Sequence, residues 1–167
     1  DLSRFESHQV TLNIEIVQMN ELLKSIVNRY QKYMDSEGFE LNLTCDDVAV
    51  YSDSQRLSQV LYNFINNAIQ YSGNSRQIEI RCQKINESVR VEIQDFGEGI
   101  PSDQIPYIWD RYYKIDRTHV RAQKGSGIGL NICKEILELH QSKYGVISKL
   151  NEGTTFWFEL PCVTKQL

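Results

Sequence analysis

Asp53–Tyr71, DSQRLSQVLYNFINNAIQY, reads as one long helix with two unlike faces. Leu57, Leu61, Phe64, Ile65, Ala68 and Ile69 recur at steps of three and four, which gathers them on one side as packing against a sheet requires. Asp53 stands where an N-cap is wanted. The opposite side displays Asn63 and Asn67 one turn apart, together with Arg56 and Gln70. Asn suits a helix interior poorly, because its carboxamide competes for backbone hydrogen bonds, and Asn66 adds a third. On an open surface such amides are merely solvated. Turned into a cleft, an Asn oxygen can coordinate a hard cation such as Mg2+ while phosphate and water oxygens complete its shell.

The glycines downstream favour the cleft. Strand signals at Gln77–Gln83 and Val89–Gln94 flank Asn86–Glu87–Ser88, a hairpin pattern. DFGEGI, Asp95–Ile100, follows at once: an acidic residue where a strand ends, then Gly97 and Gly99, which permit a turn or a close approach to a ligand. Ser102–Asp110 is read as a short helix, and Ile108, Trp109, Tyr112 and Tyr113 form an apolar-aromatic cluster beside Arg111 and Lys114. Ile115–Gly125 has no apolar period and repeated positive charge at Arg117, Arg121 and Lys124, so little burial offsets its ordering entropy; it is expected to be a lid. GSGIGL, Gly125–Leu130, then runs into a helix over Asn131–Leu139 whose Ile132, Ile136, Leu137 and Leu139 are expected to face the core. Glycines opening a helix leave unpaired N–H groups at its positive end, a site for phosphate. The string is neither a dinucleotide fingerprint nor a P-loop, since G-x-G-x-x-G and a following Gly-Lys-Ser/Thr are both missing. Strands at Tyr144–Lys149 and Thr154–Leu160 close the chain around an Asn151–Gly153 turn.

Upstream of the pivotal helix, Val10–Val17 alternates Val10, Leu12, Ile14 and Ile16 with polar partners and predicts a strand. Asn20–Ser36 changes period, with Leu22, Leu23, Ile26, Val27, Tyr30 and Met34 on one face, Asn20 as cap and Gly38 as stop. Phe39–Thr44 and Val48–Tyr51 give two short strands around Asp46–Asp47. The predicted order is β-α-β-β-α-β-β-loop-α-β-β.

With 167 residues, 41% of them apolar, the chain supports one sizeable core. A net charge of −4, from 18 basic and 22 acidic residues, disfavours duplex nucleic acid as a partner. Cys45, Cys82, Cys133 and Cys162 are widely separated in sequence, without a CxxC pair or histidines at ligand spacing; neither a zinc site nor a disulfide scaffold is expected, and a reducing compartment fits best. No apolar run is long enough to span a membrane and no signal peptide opens the chain, so a soluble piece of a larger protein is expected.

Together the Asn helix, DFGEG, the aromatic-basic stretch, GSGIGL and the terminal EGTTFWFELP resemble the ATP-binding catalytic domain of bacterial sensor histidine kinases, a fold shared with Hsp90 chaperones, DNA gyrase B and MutL repair proteins. The resemblance covers nearly the whole chain. It implies an α/β two-layer sandwich, a mixed sheet packed on three main helices with an ATP lid. It further implies that residues 8–167 form the catalytic domain and that 1–7 are the closing end of a dimerisation helix. By the same resemblance, Asn67 is the Mg2+ ligand and Asn63 its companion near phosphate and water. Asp95 recognises the exocyclic amine of adenine, Gly97 and Gly99 leave room for base and sugar, and Tyr71 lies along the nucleotide. Arg111, Lys114 and Lys124 are the charged groups near phosphate, with Lys114 the strongest of them. Gly125, Gly127, Gly129 and Leu130 line the phosphate side, and Thr154 and Thr155 end the pocket.

The implied reaction is transfer of the γ-phosphoryl group of ATP to a histidine on a separate dimerisation domain of a homodimer, and onward to a response regulator. None of His8, His119 and His140 has the sequence context of such an acceptor. The fragment is therefore expected to be monomeric and cytoplasmic, cut from a receptor of the bacterial inner membrane. Two departures stand out: Gln70 replaces a frequent Lys that contacts phosphate, and Gln141–Ser142 replace a frequent Gly-Gly. An ATP-hydrolysing switch of the Hsp90, gyrase or MutL type is the competing reading, and Asn63, where those relatives carry an acidic base, disfavours it. A degenerate nucleotide-binding regulatory module is the third.

Overall fold

The computed structural model describes residues 11–111, 113 and 129–164. Lys114, Lys124, Gly125, Gly127, the expected lid, His8, His119 and the boundary at residue 7 lie outside them. The elements follow the expected order: β1 (Glu15–Gln18), α1 (Met19–Glu37), β2 (Glu40–Cys45), β3 (Ala49–Ser52), α2 (Ser54–Tyr71), β4 (Gln77–Ile85), β5 (Ser88–Asp95), α3 (Gly129–Leu139), β6 (Lys143–Lys149) and β7 (Gly153–Pro161).

These strands divide between two sheets. Five form a mixed sheet in the order β2-β4-β5-β7-β6, in which β2 runs parallel to β4 and every other pair is antiparallel. β1 and β3 pair with each other, and a bridge between Val50 and Cys162 ties them to the end of β7. Strand alternation sends Ile78, Ile80, Cys82, Val89, Val91, Ile93, Phe156, Phe158 and Leu160 to the buried face. On the other face Arg81 and Arg90 bracket Glu92 at 3.1 and 3.0 Å, Arg90 reaches Glu159 at 2.9 Å, and its guanidinium lies 4.0 Å from the Trp157 ring centre. Partial burial opposes ionisation of Glu92, but the two guanidinium groups outweigh it and hold the carboxyl below its usual range.

α2 crosses β5 and lies beside α3. Its buried face, Leu57, Val60, Leu61, Phe64, Ile65 and Ala68, is the predicted one with Val60 added and Ile69 only partly covered. Asp53 caps it by accepting the Arg56 N–H at 3.2 Å. Phe64 is the centre of the core: its ring stacks on Phe156 at 5.1 Å and meets Trp109 edge-on at 6.3 Å. Truncating such a side chain to Ala costs about 3–5 kcal/mol.

Four local expectations change. β1 is shorter than Val10–Val17, and its register pairs Val17 with Val50 on the buried side, which leaves Ile14 and Ile16 half or more exposed. α1 starts at Met19, so Asn20 lies inside it instead of capping it; its end at Gly38 is as expected, with φ 73° and an N–H bond to the Met34 carbonyl. Ser102–Asp110 forms only a 3-10 turn over Ile105–Tyr107, because Pro106 has no N–H for a helical bond and restricts the residue before it. α3 buries Asn131, Cys133, Ile136 and Leu137, a stripe rotated from the expected one, with Ile132 and Leu139 at its margins.

His140, just past α3, joins two helix ends. Its Nε2 accepts the Asp53 N–H at 3.1 Å and lies 3.0 Å from Ser52 Oγ, while Nδ1 lies 2.8 Å from the Ile136 carbonyl. The tautomer with its proton on Nδ1 satisfies both contacts.

Candidate nucleotide site

Asn67, Tyr71, Asp95, Ile100, Leu130, Thr154 and Phe156 line one cavity. The fold explains why residues so far apart in sequence meet there. Asp95 ends β5, and in the ladder it stands between Ile78 on β4 and Thr154 on β7. α2 lies above this end of the sheet and brings Asn67 and Tyr71 down onto it, and the first turn of α3 adds Leu130. Ile100 and Phe156 are buried and form the apolar part of the wall.

Asp95 is only 3% exposed. Its Oδ1 accepts the Gly97 N–H at 3.0 Å, which fixes the carboxylate against its own turn. Thr154, equally buried, is held through Ser148: the two hydroxyls are 2.8 Å apart, Ser148 Oγ accepts the Ile100 N–H at 2.7 Å and lies 3.1 Å from the Gly153 carbonyl. One serine thus fixes the turn after β5, the start of β7 and the Thr154 side chain.

Gly97 and Gly99 sit hard against neighbouring backbone. A Cβ on Gly97 would lie 1.8 Å from the Tyr71 carbonyl oxygen, and one on Gly99, at φ 76°, would lie 2.3 Å from the Lys149 carbonyl oxygen. The space each keeps free is filled by protein backbone, and neither lines the cavity. They let the end of α2 and the β6–β7 turn close against the segment after Asp95.

Asn63 faces the start of α3. A Cβ on Gly129 would come within 3.5 Å of Asn63 Oδ1, and nearby the Cys133 thiol donates to the Val60 carbonyl at 3.9 Å. Burial pushes that thiol up to about 12. Asn66 belongs elsewhere: it is exposed and accepts the Tyr30 hydroxyl at 2.8 Å. Thr155 does not line this cavity, because strand alternation turns it away from the face that carries Thr154 and Phe156. Arg111 is exposed at a turn and does not line the cavity.

Sequence reasoning missed Ile100, Phe156, Ser148 and Asn131. Phe156 was within reach, since it lies two residues from Thr154 on one strand face. Asn131, in the first turn of α3, donates to the Trp109 carbonyl at 3.1 Å and so anchors the aromatic stretch to α3. Trp109 also packs edge-on against Phe156 and Tyr144.

A family model described as histidine kinase-, DNA gyrase B-, and HSP90-like ATPase matches residues 52–164. The sensor protein SrrB of Staphylococcus aureus is 33% identical over 162 residues, which are 96% of this chain and 28% of that protein. The chain therefore spans under a third of the curated relatives it matches. Among solved structures, the catalytic domain of histidine kinase ThkA superposes with a TM-score of 0.76 at 26% identity, over 90% of this chain and 96% of that one. Full-length ShkA in complex with AMPPNP gives a TM-score of 0.84 at 24% identity, over 99% of this chain and 34% of that one, a likeness of fold.

Proposed function

The chain belongs to the histidine kinase-, DNA gyrase B-, and HSP90-like ATPase family, and from that premise we propose that it binds Mg-ATP and positions its γ-phosphoryl group for transfer to a histidine on another domain of the parent protein. The observation that carries the reading is the convergence of Asn67, Tyr71, Asp95, Leu130 and Thr154 on one cavity.

In this reading the buried Asp95 carboxylate accepts a hydrogen bond from the exocyclic amine of adenine. A base without that donor leaves a desolvated acceptor unmatched, which costs on the order of 1–3 kcal/mol or more. Ile100, Leu130, Phe156 and Tyr71 enclose the ring faces. Asn67, on the rim, is suited to hold Mg2+ through its carboxamide oxygen, with phosphate and water oxygens as the remaining ligands. When bound, the metal supplies charge neutralisation at the phosphates. Gly129 and Leu130 open α3 at its positive end, which favours phosphate. Lys114, Lys124, Gly125 and Gly127 are proposed to complete the phosphate side.

Asn63 beside Gly129 cannot take a proton from water, so transfer is favoured over hydrolysis. His140 holds two helix ends together and is unsuited to act as acceptor. The acceptor domain, a response regulator downstream and a membrane-bound parent are parts of the same proposal; among the described residues no helix is long and apolar enough to cross a membrane.

Titration calorimetry with ATP and GTP, with and without Mg2+, tests the site. Asp95→Ala is expected to lose the preference for ATP, by about 10-fold or more. Asn67→Ala is expected to lose chiefly the Mg2+-dependent part of binding. Full discrimination of ATP from GTP by Asp95→Ala would sink the assignment. Radiolabelled ATP under alkaline conditions tests transfer: the chain alone stays unlabelled, whereas an added dimerisation domain acquires label, faster when tethered.

A further inference from the structure

The geometry points to an oxidation site at Cys45 and Cys82, which close to an intramolecular disulfide and tie the edge strand β2 to β4. The two residues are far apart in sequence, yet the parallel register sets them opposite each other. Neighbouring strands lie about 4.8 Å apart, within the roughly 4.4–6.8 Å that separates the Cα atoms of bonded cysteines. Both side chains lie on the inner face of the sheet, Cys45 in phase with Leu41 and Leu43 and Cys82 in phase with Ile78 and Ile80. Cys45 donates to the Asp46 carbonyl at 3.2 Å, a bond given up on oxidation.

Their surroundings assign the order of events. Cys45 is the last residue of an edge strand and is partly exposed, whereas Cys82 is fully buried. An oxidant from solvent, taken here as a hydroperoxide, meets Cys45 first. The Cys45 thiolate attacks the peroxide O–O bond, which breaks; Cys45 becomes the sulfenic acid and the peroxide leaves as water or alcohol. The Cys82 sulfur then attacks the sulfenic sulfur, the S–O bond breaks, and hydroxide leaves as water with the Cys82 proton. In total two thiols lose two electrons and two protons to the peroxide. Burial raises both thiols above their ordinary range; Asp46 and Asp47 push Cys45 further up and Lys24 pulls it down. The thiolate is scarce at neutral pH, so the pair closes slowly and responds to sustained oxidation.

The closed loop contains β3 and α2, the helix that bears Asn63 and Asn67. Cys82 is four residues along β4 from Ile78, the partner of Asp95, which is about 13 Å. The inference therefore does not rest on the nucleotide reading, and its test needs no nucleotide. Cys162, the other partly exposed thiol, supplies an internal competitor.

The test treats the purified chain with hydrogen peroxide and follows intact mass, disulfide peptide maps and thermal unfolding. The expected product has lost two hydrogens, maps as Cys45–Cys82, and melts about 5–10 °C above the reduced chain, reversibly with a dithiol reductant. Cys45→Ser at the strand edge and Cys82→Ala in the core each abolish it, with folding checked by circular dichroism, while Cys133→Ser and Cys162→Ser leave it intact. A map that joins Cys82 to Cys162, oxygen adducts on Cys45 without the link, or an unchanged melting temperature overturns the proposal.

Discussion

Gly97→Ala is a sharp test of how the cavity is built, because a single methyl group is set against backbone. The added Cβ would sit 1.8 Å from Tyr71 O, 2.9 Å from Tyr71 C and 3.1 Å from Ser72 C. Carbon and oxygen approach comfortably at roughly 3.5 Å, so the end of α2 must retreat by well over an ångström, and no rotamer change can absorb that. Overpacking costs about 1–3 kcal/mol where side chains can yield, and this site belongs at or above the upper end. About 3 kcal/mol corresponds to a fall in melting temperature of roughly 6–12 °C for a chain of this size. Gly38→Ala is the control: its φ of 73° strains an alanine, but its nearest neighbour is an Arg76 side-chain nitrogen at 3.7 Å, so only about 1–2 kcal/mol should be lost. Thermal and urea unfolding of both variants, with nucleotide titration of the folded protein, measures the difference. Nucleotide affinity should fall with Gly97→Ala, because Tyr71 lines the cavity and its own carbonyl is displaced. A Gly97→Ala protein as stable as Gly38→Ala, with unchanged affinity, would refute the reasoning.

Alkaline stability tests the buried thiol. Cys133 is raised from an ordinary 9.0 to about 12 by burial, so its contribution is whole below about pH 9 and is lost as pH rises toward 12. The loss is on the order of a few kcal/mol, and urea midpoints should drop above pH 9, less steeply in Cys133→Ala; an equal slope in both proteins would contradict the assignment. Asn131→Ala removes the donor to the Trp109 carbonyl and should cost about 1 kcal/mol in stability while raising tryptophan fluorescence quenching by acrylamide. Unchanged quenching would mean that the aromatic packing alone holds Trp109.

Much of the architecture was legible because it is periodic. The apolar steps of α2 and the alternation of β4, β5 and β7 survive folding almost unshifted, since each element buries one face and has no other use for it. Asn67, Tyr71, Asp95, Leu130 and Thr154 could be named and do meet in one cavity. What failed was information held by partners. Nothing in VTLNIEIV reveals that Val17 will face Val50, and the more apolar phase of that stretch points to the other face. Thr154 and Thr155 are chemically alike, and only the pleat separates them. A sequence also cannot say whether the space a glycine's missing Cβ leaves is taken by ligand or backbone; at Gly97 and Gly99 backbone takes it. The Cys45–Cys82 pairing depends on the register of two strands joined by a long crossover, which no local pattern records.

Phe156 belongs at once to the cavity wall and to the aromatic core, stacked on Phe64 and met by Trp109. Ile100, beside it, is likewise buried. A competitive inhibitor that rests on these two side chains leans on the protein's foundations. Escape by substitution at Phe156 would carry a penalty of about 3–5 kcal/mol, a large part of the roughly 5–15 kcal/mol that keeps a domain folded. Resistance should therefore arise at the rim, through Tyr71, and compounds that draw their affinity from the floor should be the slower to lose it.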